Sequence, residues 1–174
     1  MAFVSAVMAV CAVQFAVAQA PAGWKTFSPD HGKFSVSLPA VPTTETQKLD
    51  GASMATYTSD SDDAFISISE LVIDSDEMTD AERGALFEDY RKGLTDGFKS
   101  SFEESGTKLE LKFGAKKAIN VGVLKGFDQE VQLGQFKIST RLLATKGRVI
   151  MFFSMPMADP NASTVMFKSF RYSG

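Results

Sequence analysis

The sequence predicts an α+β fold built on an antiparallel β-sheet. Segments that alternate apolar and polar residues, the period of a half-buried strand, occupy both halves of the chain. One long amphipathic segment separates these halves, and this grouping of strands and helices is typical of α+β folds. Short turn motifs between successive strands favour hairpins, which pair strands antiparallel.

The first 20 residues resemble a secretory signal peptide. They carry no charge, are apolar throughout their middle, and fit the A-x-A cleavage rule at 16–18 and at 18–20. Cleavage is therefore expected after Ala18 or Ala20, and Ala18 is favoured because Pro21 directly follows Ala20. We expect a single domain over residues 21–174 that is periplasmic or secreted.

Two features of this segment leave alternatives open. It lacks the basic residue with which signal peptides begin, so either the true start codon lies upstream and Met1 is internal, or the segment stays uncut. If the segment is not cleaved, it anchors the protein in the membrane. Cys11 is the only cysteine, so a cleaved protein has no thiol for disulfides or for metal binding.

Strands are predicted at Trp24–Phe27 and Phe34–Leu38. Asp50-Gly51 then joins Thr43–Leu49 to Ala52–Thr58, and an Asp-Gly pair between alternating segments predicts a hairpin with a type I′ turn. In the next strand, Ala64–Ile73, residues 66, 68 and 72 are expected to face the core.

The long helix begins at a capping box formed by Thr79 and Glu82, with Asp80 in the first turn. Its apolar residues recur at spacings of three and four and form one stripe. They are Leu86, Phe87, Tyr90, Leu94, Phe98 and Phe102. Gly93 and Gly97 suggest that the helix approaches the sheet closely at these positions.

More strands are predicted in the second half. Leu109, Leu111 and Phe113 share one strand face, and Gly126–Leu133 and Gln135–Leu143 meet at Gly134. Arg148–Met155 is apolar on both faces, which predicts a central strand covered on both sides. A last helix is expected to begin with Asp159 as N-cap and Pro160 as its first residue.

Charge is distributed unevenly along the chain. Residues 21–106 carry 17 acidic and 7 basic side chains, whereas residues 107–174 carry 4 acidic and 11 basic ones. Either the two halves of the sheet attract each other, or the second half presents a basic face to an anionic partner or lipid surface. The net charge of −3 gives no reason to expect nucleic-acid binding.

The two ends of the chain resemble the PsbP-like superfamily. The run from Trp24 to Pro42 resembles its "W-x-x-F … G-x-F-S-V-x-x-P-x-x-P" opening, and Phe167–Arg171 resembles its closing helix. This superfamily includes an extrinsic subunit of photosystem II, a Ran-binding nuclear import factor and many exported bacterial proteins. The resemblance implies an antiparallel β-sheet flanked by helices, an α/β/α sandwich, and a non-enzymatic binding or assembly role. No site residue is transferred by it.

Few residues suggest chemistry. His31 is the only histidine and lies in a predicted turn, so neither a Ser-His-Asp triad nor a histidine zinc site is expected. Two acidic clusters are weak calcium candidates, although neither has the Gly and Glu spacing of an EF-hand loop. Their members are Asp60, Asp62, Asp63, Asp74, Asp76 and Glu77. We predict no catalytic residue, cofactor or metal, and expect both clusters to be solvated loops.

Three functions follow as hypotheses. The first is an exported, non-catalytic binding or assembly module whose partner is another exported or membrane-associated protein. The second is a carrier of an apolar ligand, a lipid or a peptide, in the periplasm, because phenylalanines and the Met151–Met155 segment can line a groove under a helix. The third is a hydrolase that uses carboxylates. The sequence leaves the oligomeric state open.

Overall fold

Two sheets and two helices form the part of the chain that the computed structural model describes, residues 21–30, 32–74, 78–104 and 111–174. The helices are α1 (Asp80–Glu104) and α2 (Ala162–Ser169). The strands of the first half are β1 (Lys25–Phe27), β2 (Phe34–Leu38), β3 (Thr43–Leu49), β4 (Ala52–Asp60) and β5 (Ala64–Ile73). Those of the second half are β6 (Leu111–Phe113), β7 (Lys117–Val121), β8 (Leu124–Leu133), β9 (Phe136–Thr145), β10 (Arg148–Pro156) and β11 (Arg171–Tyr172).

The larger sheet has the strand order β3-β4-β5-β10-β9-β8-β6, and β7 also pairs with β8. Every strand pairing in the described residues is antiparallel. The predicted antiparallel sheet with flanking helices is therefore confirmed, and β10 is a central strand between β5 and β9. A smaller sheet of order β1-β2-β11, which the sequence did not predict, lies beside it.

The β3–β4 hairpin is confirmed, but its turn differs from the prediction. Leu49 pairs with Ala52 across a two-residue turn. Only Gly51 has a positive φ, of 69°, and Asp50 does not. A type I′ turn requires a positive φ at both positions, so that assignment was wrong. The turn that forms needs a positive φ only at its second position, and glycine adopts a positive φ without steric cost.

Three side chains of β5 were predicted to face the core. The prediction was correct for Ile66 and Ile68, which are fully buried, and wrong for Val72, which is 38% exposed. Glu70 is buried in place of a third apolar side chain and forms an ion pair with Arg148 of β10. A buried carboxylate is tolerated where a guanidinium is its partner.

Among the described residues, two ion pairs join the acidic first half of the chain to the basic second half. One is Glu70 with Arg148, and the other is Glu88 of α1 with Lys116, at 3.0 Å. These contacts support the interpretation that the halves attract each other. The alternative of a basic face toward an anionic partner stays a prediction.

One face of the large sheet, the covered face, packs against α2 and the smaller sheet. Phe34, Phe152 and Phe170 are buried there, and the Phe152 and Phe170 rings meet edge to face with centroids 5.0 Å apart. The Ser169 hydroxyl accepts a hydrogen bond from the Ser37 N–H at 2.8 Å and donates one to the Met166 carbonyl. Residues of both terminal motifs thus meet in one core, which explains why they occur together.

Helix α2 begins later than predicted. Its first residue is Ala162, and Asn161 occupies the N-cap position without a capping side-chain hydrogen bond. The Asp159 carboxylate accepts a hydrogen bond from the Asn161 N–H at 2.8 Å, so it stabilises the turn before the helix. The assignment of Asp159 as N-cap and Pro160 as first helical residue was therefore wrong.

Helix α1 lies on the other face of the large sheet, the groove face. Its capping box is confirmed: the Thr79 N–H donates to the Glu82 carboxylate at 2.7 Å, and the Glu82 N–H donates to the Thr79 hydroxyl at 3.2 Å. The hydrogen bonds that the Thr79 N–H and the Thr79 hydroxyl donate to the Glu82 carboxylate lower the pKa of Glu82. Within the described residues, no helix is long and apolar enough to cross a membrane. The expected signal peptide and Cys11 lie outside them, as do Leu109 and the side chain of Phe102.

Candidate functional site: an apolar groove beside α1

Helix α1 covers only part of the groove face. Phe87 is fully buried against Leu142, Ala144 and Val149, which belong to β9 and β10. Farther along α1, Phe98 packs near Ile138 and other residues of β8 and β9. The helix therefore lies over β8, β9 and β10, whereas the groove-facing side chains of β4 and β5 beside it are only half-buried.

A groove of about 760 Å³ runs along the uncovered side of α1, and we call it the α1 groove. The helix contributes Tyr90, Gly93, Leu94, Gly97 and Phe98. The sheet contributes Met54 of β4, Phe65, Ser67 and Ser69 of β5, and Met151 and Phe153 of β10. None of these lining residues is charged, so the groove is suited to an apolar ligand.

Two glycines keep the helix side of the groove open. A Cβ atom built on Gly93 or Gly97 would have no atom within 4 Å, apart from the helix itself and the chain neighbours. The prediction that these glycines bring α1 close to the sheet was therefore wrong. Because Gly93 and Gly97 are four residues apart, they lie on one flank of the helix and remove two side chains that would otherwise fill the groove.

The opposite flank of α1 is held against β6 and β8. The Glu88 carboxylate pairs with Arg91 at 2.6 Å and with Lys116 at 3.0 Å, and these partners lower the pKa of Glu88. The Arg91 guanidinium lies 4.4 Å from the centre of the Phe113 ring, a cation–π contact. These contacts fix the helix on the side opposite the flank that carries Gly93 and Gly97.

One hydrogen bond holds α1 over the central strand. The Tyr90 hydroxyl donates to the Phe152 carbonyl at 3.1 Å. Burial raises the pKa of Tyr90 well above its ordinary value, so its hydroxyl stays protonated and remains a donor. This contact links the helix wall of the groove to β10, which also contributes to its lining.

The groove floor combines aromatic rings with hydroxyl groups. The Phe153 ring stands 6.0 Å from both Phe65 and Phe98, centre to centre. The hydroxyls of Thr56 and Ser69 are within hydrogen-bonding distance of each other, at 3.1 Å, which reduces their demand for water. Met54 and Met151 are flexible side chains that adapt to different ligand shapes.

The expectation that β10 is covered on both faces holds only in part. On the covered face Ile150 and Phe152 are fully buried. On the groove face Met151, Phe153 and Met155 are only half-buried. These residues are apolar although α1 leaves them partly open, and Met151 and Phe153 belong to the segment for which the sequence predicted a groove lining.

A second cavity, of about 740 Å³, lies between α2 and the β8–β9 hairpin. It is bordered by exposed apolar residues, Phe136 at 41% and Met157 at 49%. Its wall also includes Glu130 and Lys137, which form an ion pair at 3.0 Å. An apolar ligand would have to cover this charged pair there, and the α1 groove presents no such cost.

Of the acidic residues singled out from the sequence, the described ones (Asp60, Asp62, Asp63 and Asp74) are not among the residues that line the α1 groove. The loop between β4 and β5 holds the 157–159 segment through its backbone: the Met157 and Ala158 N–H groups donate to the Asp63 and Asp62 carbonyls. Among the residues that the structure describes, no group of three or more His, Cys, Asp or Glu is placed to hold a metal ion. His31, Asp76 and Glu77 lie outside those residues, so the weak calcium sites stay predictions.

Sequence reasoning missed most of the groove. Met54, Phe65, Ser67 and Ser69 were assigned to ordinary strands, because strand alternation shows which residues share a face but not whether a helix covers that face. The glycine pair on one flank of α1 is a signal of the groove, but the sequence analysis interpreted it as close approach to the sheet. Its meaning depends on where the helix lies, which the sequence alone does not give.

No protein-family model and no curated protein matches the sequence. Among solved structures, the chain is similar to the solution structure of cyanobacterial PsbP (CyanoP) from Synechocystis sp. PCC 6803. The sequence identity is 14% and the TM-score is 0.54, and the match covers 87% of this chain and 93% of that one. This similarity shows a PsbP-like fold, as the terminal motifs predicted.

Proposed function

We propose that the protein is an exported, non-catalytic binding module and that it binds an apolar ligand in the α1 groove. The observation that carries the proposal is an uncharged groove of about 760 Å³ whose helix wall is left open by Gly93 and Gly97. Ligand sites in proteins have typical volumes of about 300–1,000 Å³ and are mostly apolar with a few polar groups. The α1 groove agrees with both features.

The distribution of packing supports the same site. A fold gains stability from burying large apolar side chains, yet Leu94, Phe98 and Phe153 are left half-buried. An apolar ligand would cover these side chains and Met151 together. Export remains part of the proposal and is supported by the signal-like composition of residues 1–20.

The test is binding of N-phenyl-1-naphthylamine, an uncharged apolar fluorophore, to the purified protein. We expect saturable binding with enhanced fluorescence. Gly93→Leu should weaken it by about tenfold or more, because the new side chain fills the groove. Leucine favours helix formation more than glycine by about 0.8 kcal/mol, so this variant should remain folded.

Gly84→Leu is the matched control. Gly84 is also in α1 and also has open space around its Cβ position, and it does not line the groove. Gly84 and Gly93 are nine positions apart, which places the two on opposite sides of the helix. Its binding should equal that of the unmodified protein. Equal binding by the Gly93→Leu variant, or no binding by any variant, would contradict the proposal.

A further inference from the structure

We infer that the α1 groove selects a cationic ligand: a polypeptide segment in which lysine or arginine residues accompany apolar ones. This inference rests on the proposed function and names the ligand class of the same site. It depends on the charges that border the groove, since the lining itself has none.

The helix lip of the groove is acidic. At 100° per residue, Asp89 and Asp96 lie next to Gly93 on its outward side, and both are exposed. By the same geometry Lys92 and Lys99 lie about 40–60° farther around the helix from Gly93 than Asp96 does, so the carboxylates are nearer the groove than the lysines. A ligand that rests on Gly93 and Gly97 would therefore meet carboxylates at the edge of the helix.

The opposite lip is acidic as well. Glu45 of β3 is directly opposite Thr56 of β4, which is directly opposite Ser69 of β5. Directly paired residues share a sheet face, so Glu45 is on the groove face, about 10 Å from Ser69 at two strand spacings. It is exposed. The nearest basic residue of β3, Lys48, differs from Glu45 by an odd number of positions and is on the covered face.

One end of the groove carries a further carboxylate. Asp60, at the end of β4, is paired with Phe65, which lines the groove, so it is also on the groove face. Glu45, Asp60, Asp89 and Asp96 form no ion pair in the described part of the chain. Four carboxylates thus surround an apolar surface on three sides.

This arrangement matches a basic, apolar peptide and opposes an anionic amphiphile. An apolar side chain would occupy the groove while lysine or arginine side chains reach the carboxylates on both lips, which favours association and orientation. A fatty acid or an anionic phospholipid would place its negative group near the same carboxylates and be repelled. Because these carboxylates are exposed, the preference should weaken as salt increases.

The test compares two fluorescently labelled amphipathic peptides. They have leucine at the same positions, and their charged positions are lysine in one peptide and glutamate in the other. Binding to the purified protein is measured by fluorescence anisotropy. We expect the lysine peptide to bind about tenfold more tightly or better at about 0.05 M salt, and the difference to shrink at about 0.5 M. Gly93→Leu should weaken binding of the lysine peptide.

The triple variant Glu45→Gln, Asp89→Asn, Asp96→Asn should reduce the preference for the lysine peptide and leave N-phenyl-1-naphthylamine binding unchanged. Its matched control is Lys92→Gln, Lys99→Gln, which should not reduce the preference. Equal binding of the two peptides would overturn this inference. Tighter binding of palmitate or of phosphatidylglycerol vesicles than of the lysine peptide would overturn it as well. In either case, binding of the apolar probe would still support the proposed function. Loss of apolar-probe binding itself would overturn the proposed function.

Discussion

The two faces of the large sheet differ in how completely they are covered. On the covered face, α2 and the smaller sheet bury Phe34, Phe152 and Phe170, and residues of both terminal motifs meet in that core. On the groove face, α1 buries Phe87 but leaves Phe98 and Phe153 half-buried. The comparison indicates that the two terminal motifs maintain the fold, whereas the incompletely covered groove face is available for binding.

The largest predicted difference between the two faces is in the stability lost when one phenylalanine on each face is replaced by alanine. Phe170→Ala removes a buried ring from the covered face and should lower the free energy of unfolding by about 3–5 kcal/mol. Phe98→Ala removes a half-buried ring from the groove and should cost about 1 kcal/mol. Urea denaturation monitored by circular dichroism measures both.

Equal losses from the two substitutions would show that the groove face is packed as tightly as the covered face. In that case the space beside α1 would not be available to a ligand, and the comparison would fail.

Glycines on the two sides of the structure should respond oppositely to substitution by alanine. A Cβ on Gly126 of β8 would lie 1.8 Å from the Leu142 carbonyl oxygen, a backbone atom that has little room to move. Gly126→Ala should therefore destabilise the protein by about 1–3 kcal/mol or more. Gly97→Ala meets open space and should stabilise it by up to about 1 kcal/mol. Thermal unfolding distinguishes the two signs.

The smallest predicted effect is a loss of stability on acidification, which weakens the ion pairs that hold α1 in place. Lys116 and Arg91 hold the pKa of Glu88 below its value of 4.5 in an unfolded chain. The ionised form is thus favoured by folding, and its stabilising contribution is present above pH 4.5 and is lost as the pH falls through the lower folded pKa. Glu88→Gln should cost less than about 1 kcal/mol at pH 6, because the pair is partly exposed.

The difference in free energy of unfolding between the Glu88→Gln variant and the unmodified protein should be smaller at pH 3 than at pH 6. A difference between them that is the same at pH 3 and pH 6 would show that Glu88 acts through packing and not through its charge.

Much of the fold was predictable where local patterns determine structure. The boundaries of β2, β3 and β5, the start of β4 and the capping box at Thr79 follow from alternation, from Asp50-Gly51 and from hydrogen bonds within one turn. The two-residue strand β11 and the strand β7 were missed. Strand β11 is defined only by its pairing with β2, at a sequence distance that no local pattern reports.

The site was less predictable than the fold. Strand alternation correctly put Ile66 and Ile68 in the core, but it also predicted a buried Val72, because no pattern indicated that Glu70 would be buried with Arg148. The groove depends on the lateral position of α1 over the sheet. That position is set by Phe87, by Tyr90 and by the contacts of Glu88 and Arg91, all of which join residues far apart in sequence.

The central claim, that the α1 groove is the binding surface, is tested most directly by titrating the ¹⁵N-labelled protein with N-phenyl-1-naphthylamine and following backbone amide signals by NMR. The account predicts saturable shifts of the Gly93 and Gly97 amides, with Ser67 and Ser69 also affected. Ser163 and Thr164, which line the second cavity, should not shift. Shifts confined to Ser163 and Thr164, or no saturable shift at Gly93 and Gly97, would contradict it.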